Sequence, residues 1–316
     1  MNFEKTIRES QFILTEGSVI ERIRRENSFR LNSYVENADF VYETEGREIL
    51  ARLYREYIDV GRRYDVPMIV FTPTWRANHE RISLAGLSDR NVNADCFHFL
   101  NEIRESYGEY SHKIFIGGLI GCKGDAYKTD EVLSKEKSFE FHQTQVNALA
   151  SAGVDFLFAA TLPAFSESFG IAKAMAASGK PYIISFVVRP EGTLLDGTYL
   201  YDAITQIDSS VSPKPIGFMV NCVHPSVFEQ AMTHKRNSYD YVRKRIVGLQ
   251  ANTSKKRPEE LDGSAELETE EPDSLAASMI HLHKKYGIKI LGGCCGTNQL
   301  HIQAITEGLE SYLKSR

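Results

Sequence analysis

Three of the five cysteines in this 316-residue chain stand at the ends of apolar runs. Cys294 and Cys295 are adjacent within Ile288-Lys289-Ile290-Leu291-Gly292-Gly293-Cys294-Cys295-Gly296-Thr297, and Cys222 closes Pro215-Ile216-Gly217-Phe218-Met219-Val220-Asn221-Cys222. If both runs are strands of one parallel barrel, the three thiols meet at one rim. Three thiolates so placed bind a soft or borderline divalent ion, zinc above all, and leave a position open for a substrate. The competing reading is that all three are small buried hydrophobes, as free cysteines often are, because no compact C-x-x-C spacing is present. The neighbouring glycines shift the balance. Gly292, Gly293 and Gly296 would let the backbone turn tightly enough for consecutive side chains to face one ion. Cys96 and Cys122 stand alone; Cys96 is expected in packing, and Cys122 near the mouth without ligating.

Such convergence needs a scaffold that brings distant strand ends together. Eight short apolar runs can be read: Phe12–Thr15, Met68–Thr72, Ile114–Ile120, Val154–Thr161, Tyr182–Val188, Ile216–Asn221, Ile246–Gln250 and Ile288–Leu291. Runs apolar at nearly every position suit a parallel sheet covered on both faces. Between them lie segments with helical spacing, among them Arg47–Tyr64, Ser138–Ser151, Ser166–Ser178 and Ser274–Tyr286. Gly153 and Gly287 sit between helix and next strand, where a left-handed cap is required. Eight alternating units predict an α/β fold, a (β/α)8 TIM barrel forming a single domain over residues 1–316. An open doubly wound sheet is the runner-up. The stretch 252–273, rich in Glu and Asp, would be a long βα loop on the catalytic face, either a lid or a solvated insertion.

The bulk properties exclude other classes. Hydrophobic residues make up 42% and charged residues 25%, as in a soluble globular protein. A formal net charge of -5 speaks against nucleic acid as the partner. No segment reaches the ~18 consecutive apolar residues of a membrane span. The amino terminus lacks a signal peptide's apolar stretch, so the cytoplasm is expected, and with it free thiols rather than disulfides.

In a barrel, active residues stand at the carboxyl ends of the strands. Those ends supply Thr15-Glu16-Gly17, Thr74-Trp75-Arg76, Cys122 to Asp125, Ala159-Ala160-Thr161, Ser185, Asn221 to His224, Asn252 and the double cysteine. Trp75 could face a methylated cation through its ring and Arg76 could clamp a carboxylate; packing under the loop is the alternative for Trp75. His224 could be a fourth ligand or proton carrier, or simply orient a neighbour. Asn221, Asn252 and Ser185 would hydrogen-bond the rim or a substrate. His142 is expected to pack or to hydrogen-bond locally.

Taken together, Asn221-Cys222 and Gly292-Gly293-Cys294-Cys295-Gly296-Thr297 resemble the signature of the zinc-dependent homocysteine S-methyltransferase family. Further matches are Gly153-Val154-Asp155, Ser185-Phe186 with Asp196-Gly197-Thr198, and His301-Ile302. The resemblance implies a (β/α)8 barrel with Zn2+ held by Cys222, Cys294 and Cys295. It implies methyl transfer from a small-molecule donor to a thiol such as homocysteine through a zinc-bound thiolate. Glu16 and Asn221 are then the catalytic candidates, and Trp75, Arg76, Ser185, Asn252 and His224 the substrate-binding ones. Two departures stand out. The first turn is Thr15-Glu16-Gly17 where the family has an Asp-Gly-Gly-like turn. The fourth strand ends Ala159-Ala160-Thr161 where the family has Phe-Glu-Thr, whose carboxylate would hold an amino group; Glu16 is the substitute on the same rim. The alternatives are demethylation onto a different thiol, or a non-catalytic metal- or thiol-binding component beside a corrinoid protein.

Overall fold

The eight apolar runs form eight parallel strands: β1 (Ile13–Thr15), β2 (Met68–Phe71), β3 (Ile114–Ile120), β4 (Phe156–Leu162), β5 (Tyr182–Phe186), β6 (Gly217–Val223), β7 (Ile246–Ala251) and β8 (Ile290–Gly293). They pair in chain order, and β8 returns to β1 through Ile13↔Ile290 and Leu14↔Leu291. That last pairing excludes the open sheet and closes a (β/α)8 barrel. The structure, a computed structural model, describes residues 2–26, 29–256 and 270–315. Among these residues no helix is long and apolar enough to cross a membrane.

Helices fill the outer layer where the 3.6-residue spacing placed them: Thr44–Arg63, Lys135–Ala152, Phe165–Ala177 and Pro272–Tyr286 are four of them. Gly153 and Gly287 end their helices at φ 111° and φ 71°, a conformation that costs glycine little and other residues more. The acidic stretch follows β7 as expected. Residues 257–269 of it, and with them the question of a lid, lie outside the described residues.

Strand alternation splits the apolar residues into two cores. Ile13, Ile69, Phe71, Phe156, Phe158, Ile183, Met219 and Ile290 point inward, while their neighbours such as Leu14, Val70, Leu157, Ile184 and Val220 face the helices. The helix Phe3–Glu9 plugs the amino end of the barrel, with Phe3 stacked on Phe156 at 3.8 Å between ring centres. Burying such a ring stabilises the fold by about 1.5–3 kcal/mol. One end being closed, the polar groups gather at the other.

Candidate metal centre

Regular alternation would send Cys222 the wrong way. Met219 points inward and Val220 outward, so Asn221 points inward and Cys222 should face the helices. Instead the register between β6 and β7 shifts between Asn221 and Val223, and Cys222 takes φ 59°. This bulge lets two consecutive side chains serve the mouth. A second irregularity lies in β4, where the register with β5 shifts between Ala159 and Leu162 and Thr161 takes φ 60°. A left-handed conformation at a non-glycine residue costs about 1–3 kcal/mol and persists only where the surroundings enforce it. Asn221 does that for both strands. Its Oδ1 accepts from Thr161 N at 2.9 Å and from Ser185 Oγ at 2.7 Å, and its Nδ2 donates to Thr161 Oγ1 at 2.7 Å. Of the two partners expected for this side chain, rim or substrate, the rim is the one it meets: it braces β4, β5 and β6, and Ser185 shares that brace.

The double cysteine is fixed by its backbone. Cys294 N donates to Ala251 O at 2.7 Å, Thr253 N to Cys295 O at 3.2 Å, and Thr297 Oγ1 to Cys294 O at 2.7 Å. Only Gly296, at φ 82°, supplies the turn expected of the glycines. Gly292 and Gly293 lie within or at the end of β8 for another reason: a Cβ there would collide with Thr15 Oγ1 or Thr297 Oγ1.

The three sulfurs, contributed 72 residues apart along the chain, lie within 4.8 Å of one another. Cys222 Sγ is 3.8 Å from Cys295 Sγ and within bonding distance of Cys294 Sγ. The pair Cys222–Cys294 thus stands as a disulfide, with Cα atoms 5.4 Å apart as such a bond requires. This corrects the expectation that no cysteines pair. Cys295 remains a thiol, its pKa pushed up to about 12 chiefly by burial, with the Glu21 carboxylate adding to it. In the reduced state the same trio offers three soft donors to one point, a set that fits zinc. Cys96 and Cys122 are buried elsewhere and bond to Ala38 O and Gly124 O.

A fourth polar group at the sulfurs escaped the sequence. Tyr127 Oη donates to Cys222 Sγ at 3.1 Å. Its one sequence signal was a position two residues past the polar end of β3.

The other rim candidates are largely turned to internal partners. Arg76 Nη1 donates to Cys122 O and Gly124 O, and its guanidinium lies 4.1 Å above the Trp75 ring. The cation over Trp75 is therefore the protein's own. Asn252 Oδ1 accepts from Ser254 N at 2.7 Å, forming a local turn. His224 caps the helix Pro225–Thr233: its Nδ1 accepts from Ser226 N, which puts the proton on Nε2, facing Glu270 Oε2 at 2.9 Å. Burial holds this imidazole below its ordinary range, and neither nitrogen is left for a metal. His142, expected to pack or hydrogen-bond locally, does hydrogen-bond, but to Glu167 25 residues along the chain, at 2.9 Å.

Glu16 is buried, with Oε2 accepting from Phe71 N at 2.8 Å. Desolvation raises its pKa well above the ordinary 4.5, against the lowering effect of that hydrogen bond. Burial thus disfavours the charge an ammonium would need from it. The stability it contributes is complete below pH 4.5 and is lost as pH climbs through the raised value. Each pH unit across that window costs about 1.4 kcal/mol. Glu16→Gln keeps an acceptor for Phe71 N and removes the titration. Urea midpoints should coincide for the two proteins in acid and favour the variant increasingly as pH rises; parallel curves at all pH values would refute this.

A family profile described as Homocysteine S-methyltransferase matches residues 13–309. The chain is 24% identical over 315 residues to the homocysteine S-methyltransferase YbgG of Bacillus subtilis, covering 93% of each chain. It is 23% identical over 276 residues to the homocysteine S-methyltransferase of Escherichia coli, covering 83% of this chain and 84% of that one. Among solved structures, the metallated form of the E. coli homocysteine methyltransferase MmuM superposes with a TM-score of 0.76 at 20% identity, covering 96% of this chain and 98% of the other.

Proposed function

The chain belongs to the homocysteine S-methyltransferase family, and from this we propose that it moves a methyl group from a small-molecule donor to a thiol acceptor, using zinc held by Cys222, Cys294 and Cys295. The observation that carries the reading is the meeting of three sulfurs at one barrel mouth. Zinc held there would supply positive charge that keeps an acceptor thiol deprotonated and nucleophilic at neutral pH. The reaction is a displacement in which the acceptor sulfur forms a bond to the methyl carbon as the donor's sulfur–, nitrogen– or cobalt–carbon bond breaks, the electron pair staying with the donor. The donor leaves as a thioether, an amine or cob(I)alamin.

The chain's own part is alignment. Asn221 holds the left-handed backbone that presents Cys222, and the hydrogen bonds of Cys294 and Cys295 fix the opposite side. The solved relative MmuM is known in a metallated form, which accords with this use of the trio. The test is metal content and methyl transfer of the reduced protein, with S-methylmethionine, betaine and methylcobalamin as donors. Tightly held zinc and transfer from one donor are expected; full transfer by metal-free protein overturns the reading.

Metal uptake must displace the Cys295 proton, since burial keeps that thiol protonated at neutral pH. Apparent affinity should therefore rise with pH, about tenfold per unit for each proton displaced, and fall in acid. Chelator competition across the neutral range measures the slope; a flat profile contradicts the assignment of Cys295.

Ala160 favours a second reading about the acceptor. It is buried among the inward apolar residues at the end of β4, and desolvation disfavours the charged form of Glu16. An α-ammonium would find little countercharge there. A site built for that ammonium discriminates by up to about 10^4-fold against an analogue lacking it. Comparable kcat/KM for homocysteine and 4-mercaptobutanoate would establish an acceptor without an amino group; strong preference for homocysteine would exclude one.

A further inference from the structure

We propose that Tyr127 is a positioning residue of the sulfur cluster: its phenol donates to Cys222 and limits how much electron density that sulfur gives to a bound metal. The proposal rests on the metal reading above. Tyr127 Oη lies 3.1 Å from Cys222 Sγ. A thiolate or disulfide sulfur has no proton, so the hydroxyl must be the donor.

The loop that delivers this hydroxyl is built for the purpose. It leaves β3 and reaches a sulfur on β6, across the barrel mouth. Asp125 Oδ1 accepts from Tyr127 N at 2.9 Å and sets the turn that aims the ring. Arg76 Nη1 ties down Cys122 O and Gly124 O from the end of β2. Lys123 N donates to Glu167 Oε1 at 2.7 Å, and His142 Nε2 holds the same oxygen at 2.9 Å. Arg76, Glu167 and His142 are all buried. Burying such groups is unfavourable unless they are paired, and closing a surface loop does not call for three of them. Delivering one donor accurately to one sulfur does.

A hydrogen bond donated to a metal-bound sulfur withdraws charge from it. Loss of such an outer partner typically weakens metal binding or activity about 10–100-fold. The test is cobalt(II) added to the reduced, metal-free protein, read by the sulfur-to-cobalt charge-transfer absorption and by competition with a chromophoric chelator. Tyr127→Phe should move the absorption to longer wavelength, because the sulfur gives more density to the metal, and weaken binding at neutral pH about tenfold, because the same sulfur holds its proton more tightly. Asp125→Ala, which loosens the turn but keeps the phenol, should shift the band the same way by less, and it carries the test should the first variant fail to fold. Native-like absorption and affinity in the variants overturn the proposal while leaving the metal site intact. Absence of the charge-transfer band from the unsubstituted protein overturns the metal reading, and this proposal with it.

Discussion

Cys222→Ser is expected to lose metal and methyl transfer together. A serine hydroxyl does not ionise at neutral pH, so the site keeps two sulfurs, both from one turn, and nothing from β6. Loss of an outer hydrogen-bond partner already weakens a metal site about 10–100-fold, and loss of a ligand should exceed the upper figure. Metal retained after dialysis against a chelator, and transfer with the best donor, should fall in parallel. Cys96→Ser is the control, since that sulfur bonds to Ala38 O away from the cluster. The variant should fold, because serine can occupy the Cys222 backbone conformation as well as cysteine does. Unchanged transfer by Cys222→Ser would remove the centre of the proposed chemistry.

Asn221→Ala should have the largest effect on stability. The side chain is buried and satisfies Thr161 N, Thr161 Oγ1 and Ser185 Oγ within 2.9 Å. Alanine leaves these groups buried without that partner, at about 1–3 kcal/mol for each that stays unsatisfied. A total of about 3–5 kcal/mol is at the high end for a single substitution. At about 2–4 °C per kcal/mol, the melting temperature should drop by roughly 10 °C. The same change releases the left-handed backbone at Thr161 and Cys222, so metal affinity should fall as well. Asn221→Asp keeps the acceptor for Thr161 N and should lie between. A melting temperature like that of the unsubstituted protein, with a reduced kcat alone, would return Asn221 to the direct catalytic role its position suggested.

These two residues mark where sequence reasoning reached its limit. Asn221 and Cys222 were found at once, because they end an apolar run and apolar periodicity is a local property. All eight strands lie where their runs are, with ends displaced by up to about two residues. The helix ends at Gly153 and Gly287 were equally legible, since a left-handed cap demands glycine. The bulge was not. Whether Cys222 faces the mouth or the helices turns on one inserted residue in the β6–β7 ladder, and no composition marks it.

The partners of the rim residues were hidden for a related reason. Arg76 and Trp75 read as ligand-binding types and do bind a cation and carbonyl oxygens, but the ligands are the protein's own backbone and side chains. Tyr127, within a loop of unremarkable sequence, reaches a sulfur 95 residues away. What the amino-acid order determined by itself was the alternation of eight buried strands with amphipathic helices, and the residue types gathered at their carboxyl ends. Only the closed barrel decided which of those residues meet, because side-chain hydrogen bonds and sulfur contacts form over about 3–4 Å. Separations that small between distant segments are set by strand register and bulges, not by anything written next to the residues that use them.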